Sequence, residues 1–157
     1  ALRALQAIEY STLYTNRQIL PAAGISAAAW AIMFGGGVAD FFIAFATAIV
    51  AELLTQWMTK RQVHGYMATL LCSFVSTILP QLVCHALQTG SPEACIAGAL
   101  MPLLPGLAMT NAIQDTMRGD IVSGVAHGMN AILIAGMIAG GTLCASSLFH
   151  LLIGGLM

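Results

Sequence analysis

Charge is the scarcest resource in this sequence. Only 7% of its 157 residues are Asp, Glu, Lys or Arg and 59% are apolar, where a soluble domain carries roughly 25% and 45–50%. So few charges cannot coat a water-exposed surface, which excludes an ordinary soluble enzyme or binding module. Basic runs are lacking as well, and at a net charge of −1 nothing could hold a phosphate backbone, which excludes nucleic acid as a partner. Metal-ligand spacing is absent from the four cysteines, Cys72, Cys84, Cys95 and Cys144, and from the four histidines, His64, His85, His127 and His150, so neither metal nor cofactor is expected. Cys84 and Cys95 flank one loop and are read as small buried apolar residues ahead of a disulfide. No nucleophile and base can be assembled, which argues against an enzyme. No nucleotide-binding signature is present, so any transport must draw on a gradient or a further subunit. A basic leader with a cleavage site is missing before the first apolar run near Ile19, so no cleavable signal peptide is expected.

Long apolar runs fill the space that charge leaves. They predict an all-α integral membrane protein of about five transmembrane helices, at residues 19–34, 41–58, 63–87, 94–117 and 121–157. In that arrangement Arg3, Arg17, Lys60, Arg61 and Arg118 fall on one side. Cytoplasmic loops retain Lys and Arg, so the expected topology is N-in/C-out in a bacterial inner membrane. Gly35, Gly36 and Gly37 make the first outer turn, ending near Asp40. Residues 1–10 read as an amphipathic helix, and residues 1–18 as a cytoplasmic connector at the tail of something longer, since the chain opens on Ala. The last run, 37 residues long, would reach about 55 Å as a helix against a hydrocarbon core of about 30 Å. It must tilt, kink at Gly140 and Gly141, or leave the membrane near Ser146.

The fourth run carries the chemistry. Pro102, Pro105 and Gly106 sit near its middle, where proline removes a donor and breaks the helix at Pro105-Gly106. Broken backbone is tolerated in a bilayer only where protein or water surrounds it. Transporters place such breaks at the substrate site, with the second half-helix offering free N–H groups to an anion. Thr110, Asn111 and Asp115 follow within two turns, the last two sharing a face. The competing reading is a proline kink with a polar interfacial end and an Asp115 to Arg118 pair. Glu52, eight residues above Lys60 with Gln56 between, is an intramembrane acid that either couples protons or lies protonated near the interface. His127, with Asn130 three residues on, is a candidate for a proton-relay role in the polar cavity. Gly124 with Gly128 and Gly136 with Gly140 predict a close packing face against another span or subunit, and Trp30, Trp57 and Tyr66 read as packing and interface anchors.

Leu104, Pro105, Gly106, Thr110, Asn111, Ala112, Ile113, Asp115, Gly119, Asp120, Ser123 and Gly124 together closely resemble the signature segment of the threonine/serine exporter family. The turn at residues 34–37 with Asp40 following, and the helix bearing Ala4, Leu5, Ile8 and Glu9, are also similar to that family. The resemblance implies export of threonine and serine driven by proton motive force. The residues themselves, with the resemblance adding weight to the segment from Leu100 to Gly124, point to substrate contacts at Pro105, Gly106, Thr110, Asn111 and Asp115 and to proton coupling through Asp115, Glu52 or His127, although the family pattern does not demand an acid at Glu52. The cytoplasmic domain and second membrane half expected of the family are not in this sequence. The chain is therefore read as half of a transporter for a small anionic or zwitterionic metabolite. It would work as a homo- or hetero-oligomer with a partner half of inverted topology. The alternatives are a subunit exporting a small dicarboxylate such as succinate, and a membrane scaffold that transports nothing.

Overall fold

Glycines and prolines punctuate the apolar runs, and the turns between helices are built around several of them. The computed structural model describes residues 16–154; the amphipathic helix expected at residues 1–10 lies outside the described residues. Helix α1, Asn16–Met33, turns through the glycines of residues 35–37 into α2, Val38–Lys60. Gly35 has φ +86°, a left-handed conformation costly for a residue with a Cβ. After residues 61–64 comes α3, Gly65–Leu87, and after residues 88–91 comes α4, Pro92–Leu100, with its proline at the tolerated helix start. A single 3₁₀ turn, Met101–Leu103, leads to α5, Gly106–Met117, and then to α6, Ile121–Gly154.

Three of these helices are long and apolar enough to cross a membrane: Val38–Lys60, Gly65–Leu87 and Ile121–Leu152. A fourth span forms if the pair Pro92–Leu103 and Gly106–Met117, bent by 54°, counts as one. This is a multi-pass, all-helical membrane protein, with the break where the prolines predict it. Against about five expected spans, the first is the short one, because the apolar part of α1 covers only Ile19–Met33. Helix α1 also begins earlier than expected, so Pro21 lies inside it rather than in its first turn. The final run is one helix through Gly140, Gly141 and Ser146, so glycine alone does not interrupt it there. At 34 residues it measures about 51 Å, and tilt or protrusion must absorb the excess.

The interior is built from small residues. Ala27, Ala28, Ala31 and Ala44 are completely buried, as are Ser73, Ser76 and Thr77, whereas Val38, Phe42, Leu143 and Leu151 are among many large apolar side chains pointing outward. That inversion is what lipid allows: helices gain by close backbone approach, and large apolar groups lose nothing by facing acyl chains. Gly98 shows the approach directly, since a Cβ there would lie 2.5 Å from the Ala27 carbonyl. On α6 the close-packed glycines are Gly124, against Ala112 and Thr116, and Gly141, against Leu70 and Ser73. Gly128 makes only ordinary contact with Ala112, and no other part of the described chain packs on Gly136 or Gly140, so within the chain the expected packing face is met at its first pair.

Helices α3 and α6 run parallel, side by side. Four pairs mark the register: Tyr66 with Asn130, Ser73 with the Met137 carbonyl, Gln81 with Ser146 and His85 with Phe149. This brings the start of α6, and Arg118 before it, to the end of the molecule that holds Lys60 and Arg61. Helix α4 packs against α1, α2 and α3, whereas α5 lies on α6.

Candidate functional site

The sequence from Leu100 to Met109 cannot continue an α-helix, because Pro105 supplies no N–H and disfavours helical backbone at Leu104. Leu104 is extended, at φ −64° and ψ 136°. The chain restarts at Gly106, whose amide reaches the Leu104 carbonyl at 2.8 Å, while the Met109 amide bonds to the Pro105 carbonyl at 3.1 Å. Pro105 at the N-cap has no side-chain acceptor, so the amides of Leu107 and Ala108 are first-turn donors with no intrahelical partner. They sit at the positive end of the α5 dipole.

Along α5 the expected polar residues follow. The Thr110 hydroxyl donates to the Gly106 carbonyl at 2.9 Å. Asn111 is exposed, and Asp115, one turn further on the same face, is half-buried. Asp115 does not pair with Arg118; its Oδ2 lies 3.7 Å from His127 Nε2 on α6. The competing interfacial pair is therefore replaced by a contact between helices. One turn further along α6, Asn130 Oδ1 accepts from the Tyr66 hydroxyl at 2.9 Å. Asp115, His127, Asn130 and Tyr66 thus form a polar strip across α5, α6 and α3. Tyr66 joins the strip from 64 residues away, and no local pattern distinguishes it from an interfacial anchor.

Glu52 stands elsewhere. Its Oε1 accepts from Gln56 Nε2 at 3.2 Å, on the α2 helix, with neither Asp115 nor His127 as a partner. Beyond the end of α5, Asp120 Oδ1 accepts from the Ser123 amide at 3.1 Å and caps α6. That hydrogen bond holds the exposed Asp120 carboxyl below the usual carboxylate range. The cleft nearest the strip, about 320 Å³, is apolar and lined by Ala112, Ile113, Thr116, Met117, Gly124 and Val125. The expected polar cavity around Pro105 and Gly106 is not enclosed by the described residues, and Gly106 and Leu107 lie exposed on the surface.

Residues 1–149 match the family described as "Putative threonine/serine exporter". The chain belongs to the threonine/serine exporter family. That is a family of transporters and not of enzymes. Among curated proteins, the chain is 30% identical over 116 residues to the "Threonine/serine exporter" of Corynebacterium glutamicum, covering 71% of this chain and 24% of that protein. It is 27% identical over 112 residues to the "Probable succinate transporter subunit YjjP" of Klebsiella aerogenes, covering 71% of this chain and 43% of that one. The protein of the same name from Escherichia coli K12 is 26% identical over 112 residues, with 44% of its length covered. The chain spans less than half the length of each of these relatives. No solved structure matches it significantly.

Proposed function

We propose that this chain is one half of a gradient-driven exporter of threonine and serine in a bacterial inner membrane, with Lys60, Arg61 and Arg118 at the cytoplasmic end. The observation that carries the reading is the 54° bend between α4 and α5, which frees the Leu107 and Ala108 amides on an exposed face of a membrane-spanning hairpin. Those amides and the dipole behind them suit a substrate carboxylate, with Thr110 and Asn111 within reach of its polar groups. A second membrane half, expected to be of inverted topology, would close the other side of this face and complete the cavity that α5 alone leaves open. The curated relatives named as a transporter subunit support a partner.

Distance supports the part we give Asp115. It lies eight residues beyond Leu107, about 12 Å along the helix axis, while the ammonium and carboxylate of one amino acid lie within about 4 Å of each other. A molecule held at the Leu107 amide cannot reach Asp115. The carboxylate therefore serves as the coupling group, exchanging a proton with His127 at 3.7 Å as the partner half opens and closes the strip. Glu52, bonded to Gln56 on another helix, is a packing acid in this scheme.

A dicarboxylate such as succinate is the second reading, favoured by the names of two relatives; its carboxylate would make the same demand on the α5 amides. Reconstitution of the chain with its partner half, followed by counterflow of labelled threonine and of labelled succinate, tests the choice. Threonine counterflow that requires both halves supports the proposal. Exclusive succinate counterflow replaces the substrate, and no counterflow of either returns the chain to the scaffold reading.

A further inference from the structure

A second cluster, at the opposite end of the helices, takes no part in this scheme. Asp40 in the first turn of α2, Cys84 near the end of α3 and Cys95 in α4 are all buried, at 2%, 6% and 0% exposure. One ligand atom from each lies within 4.8 Å of the other two, and all four cysteines are free thiols. Cys95 Sγ donates to Asp40 Oδ1 at 3.3 Å. The carboxylate is held from outside by the Gly37 amide at 2.8 Å, the Ser91 amide at 2.9 Å and the Ser91 hydroxyl at 3.2 Å. Gly90, with φ +89°, lets the loop backbone pass over the cluster, where a Cβ would collide with Asp40.

We infer that Asp40, Cys84 and Cys95 form a binding site for a thiophilic divalent ion of the zinc and cadmium class, tying α2, α3 and α4 together. A tetrahedral ion with bonds of about 2.3 Å to sulfur and about 2.0 Å to oxygen spaces its S and O ligands by about 3.5 Å and its two S ligands by about 3.8 Å. The 3.3 Å separation of Cys95 Sγ and Asp40 Oδ1 is close to that edge, so the ion replaces the shared thiol proton with little movement. The charge also balances. Two thiols and a carboxylate carry −1; a divalent ion with two thiolates and the same carboxylate carries −1, with two protons released to solvent. A buried site therefore takes up the ion with no change in net charge, which is what a low-dielectric setting requires. The Gly37 amide and Ser91 hydroxyl stay on Oδ2 and orient the carboxylate. Cys84 also lines a cavity of about 470 Å³ with His85, Glu93 and His150, which provides an entry route and room for a water as fourth ligand. Cys72, bonded to Thr55, and the exposed Cys144 have no such partners and serve as controls.

The test is cadmium titration of the full-length protein in detergent, in a Cys72→Ser/Cys144→Ser background, reading thiolate-to-metal absorption and proton release. One ion bound per chain with two protons released is expected. Cys84→Ser and Cys95→Ser should each weaken binding at least tenfold, while Ser91→Ala, which loosens the clamp but keeps all three ligands, should retain the absorption band. Absence of the band in the parent protein, an unchanged band in both cysteine variants, or loss of two thiols to a disulfide with no metal bound would each overturn the inference.

Discussion

The two ends of the helices are built on opposite principles. At the Asp40 end a single carboxylate gathers the turn after α1, the turn after α3 and the first turn of α4, and its donors are nearly all satisfied inside the chain. At the Asp115 end the polar groups lie on an open face: His127 is 47% exposed and α5 has no buried residue. A closed hydrogen-bond network gains its stability from being complete, whereas an open polar strip in a bilayer is tolerated only when water or another subunit meets it. The first end is closed within the chain, and the second is open.

Breaking the closed end should produce the largest loss of stability. Asp40→Ala leaves the Gly37 and Ser91 amides, the Ser91 hydroxyl and the Cys95 thiol without their acceptor, and should cost roughly 3 kcal/mol or more. Thermal unfolding in detergent measures it, and a wild-type midpoint would show that the clamp is dispensable. Next comes Gly98→Val, whose Cβ meets the Ala27 carbonyl and the Ala31 amide. Overpacking of this kind costs roughly 1–3 kcal/mol and should separate α4 from α1, as read by crosslinking between cysteines placed on the two helices. Tyr66→Phe should change stability by about 1 kcal/mol at most, since it removes one exposed bond to Asn130; an effect on transport exceeding that loss would make Tyr66 part of the working strip.

The smallest effect belongs to Asp120. Its carboxyl is held low by the Ser123 amide, so the charged form is favoured in the folded chain. The contribution is present above the ordinary Asp value and is lost as pH falls through the lowered folded value. Asp120→Asn should therefore lower stability slightly at neutral pH and not at acid pH, which flattens the acid limb of a stability profile. An unaltered acid limb would remove Asp120 as a cap of α6.

Local chemistry explains what the sequence made legible. The break at Pro105 and Gly106, the turn at residues 35–37 and the placement of Arg118 at the same end as Lys60 all follow from proline, glycine and charge acting within a few residues of themselves. Contacts made across the fold carried no such signal. Asp40 and Cys95 are 55 residues apart and Tyr66 and Asn130 are 64 apart, so spacing rules, which look along one helix or one loop, do not bring these residues together. Asp115 and Asn111 were identifiable as a face because they are one turn apart. That Asp115 would turn to His127 rather than Arg118 depended on the α5–α6 packing, which the close approach at Gly124 makes possible. The glycines of α6 show the same limit: a four-residue repeat gives a face but not the neighbour it meets, and within the chain only Gly124 of the two pairs is closely packed.

The contrast between the ends rests most directly on Asp115. Asp115→Asn keeps the side chain's size and removes its charge, and at a half-buried position with one 3.7 Å contact to His127 it should alter stability by no more than about 0.5 kcal/mol. In proteoliposomes holding this variant with its partner half, threonine exchange and proton-driven uphill export should be measured side by side. Exchange at the wild-type rate with uphill export abolished is the expected result. Wild-type rates of both activities in the folded variant would contradict it and leave the Asp115–His127 contact as packing between α5 and α6.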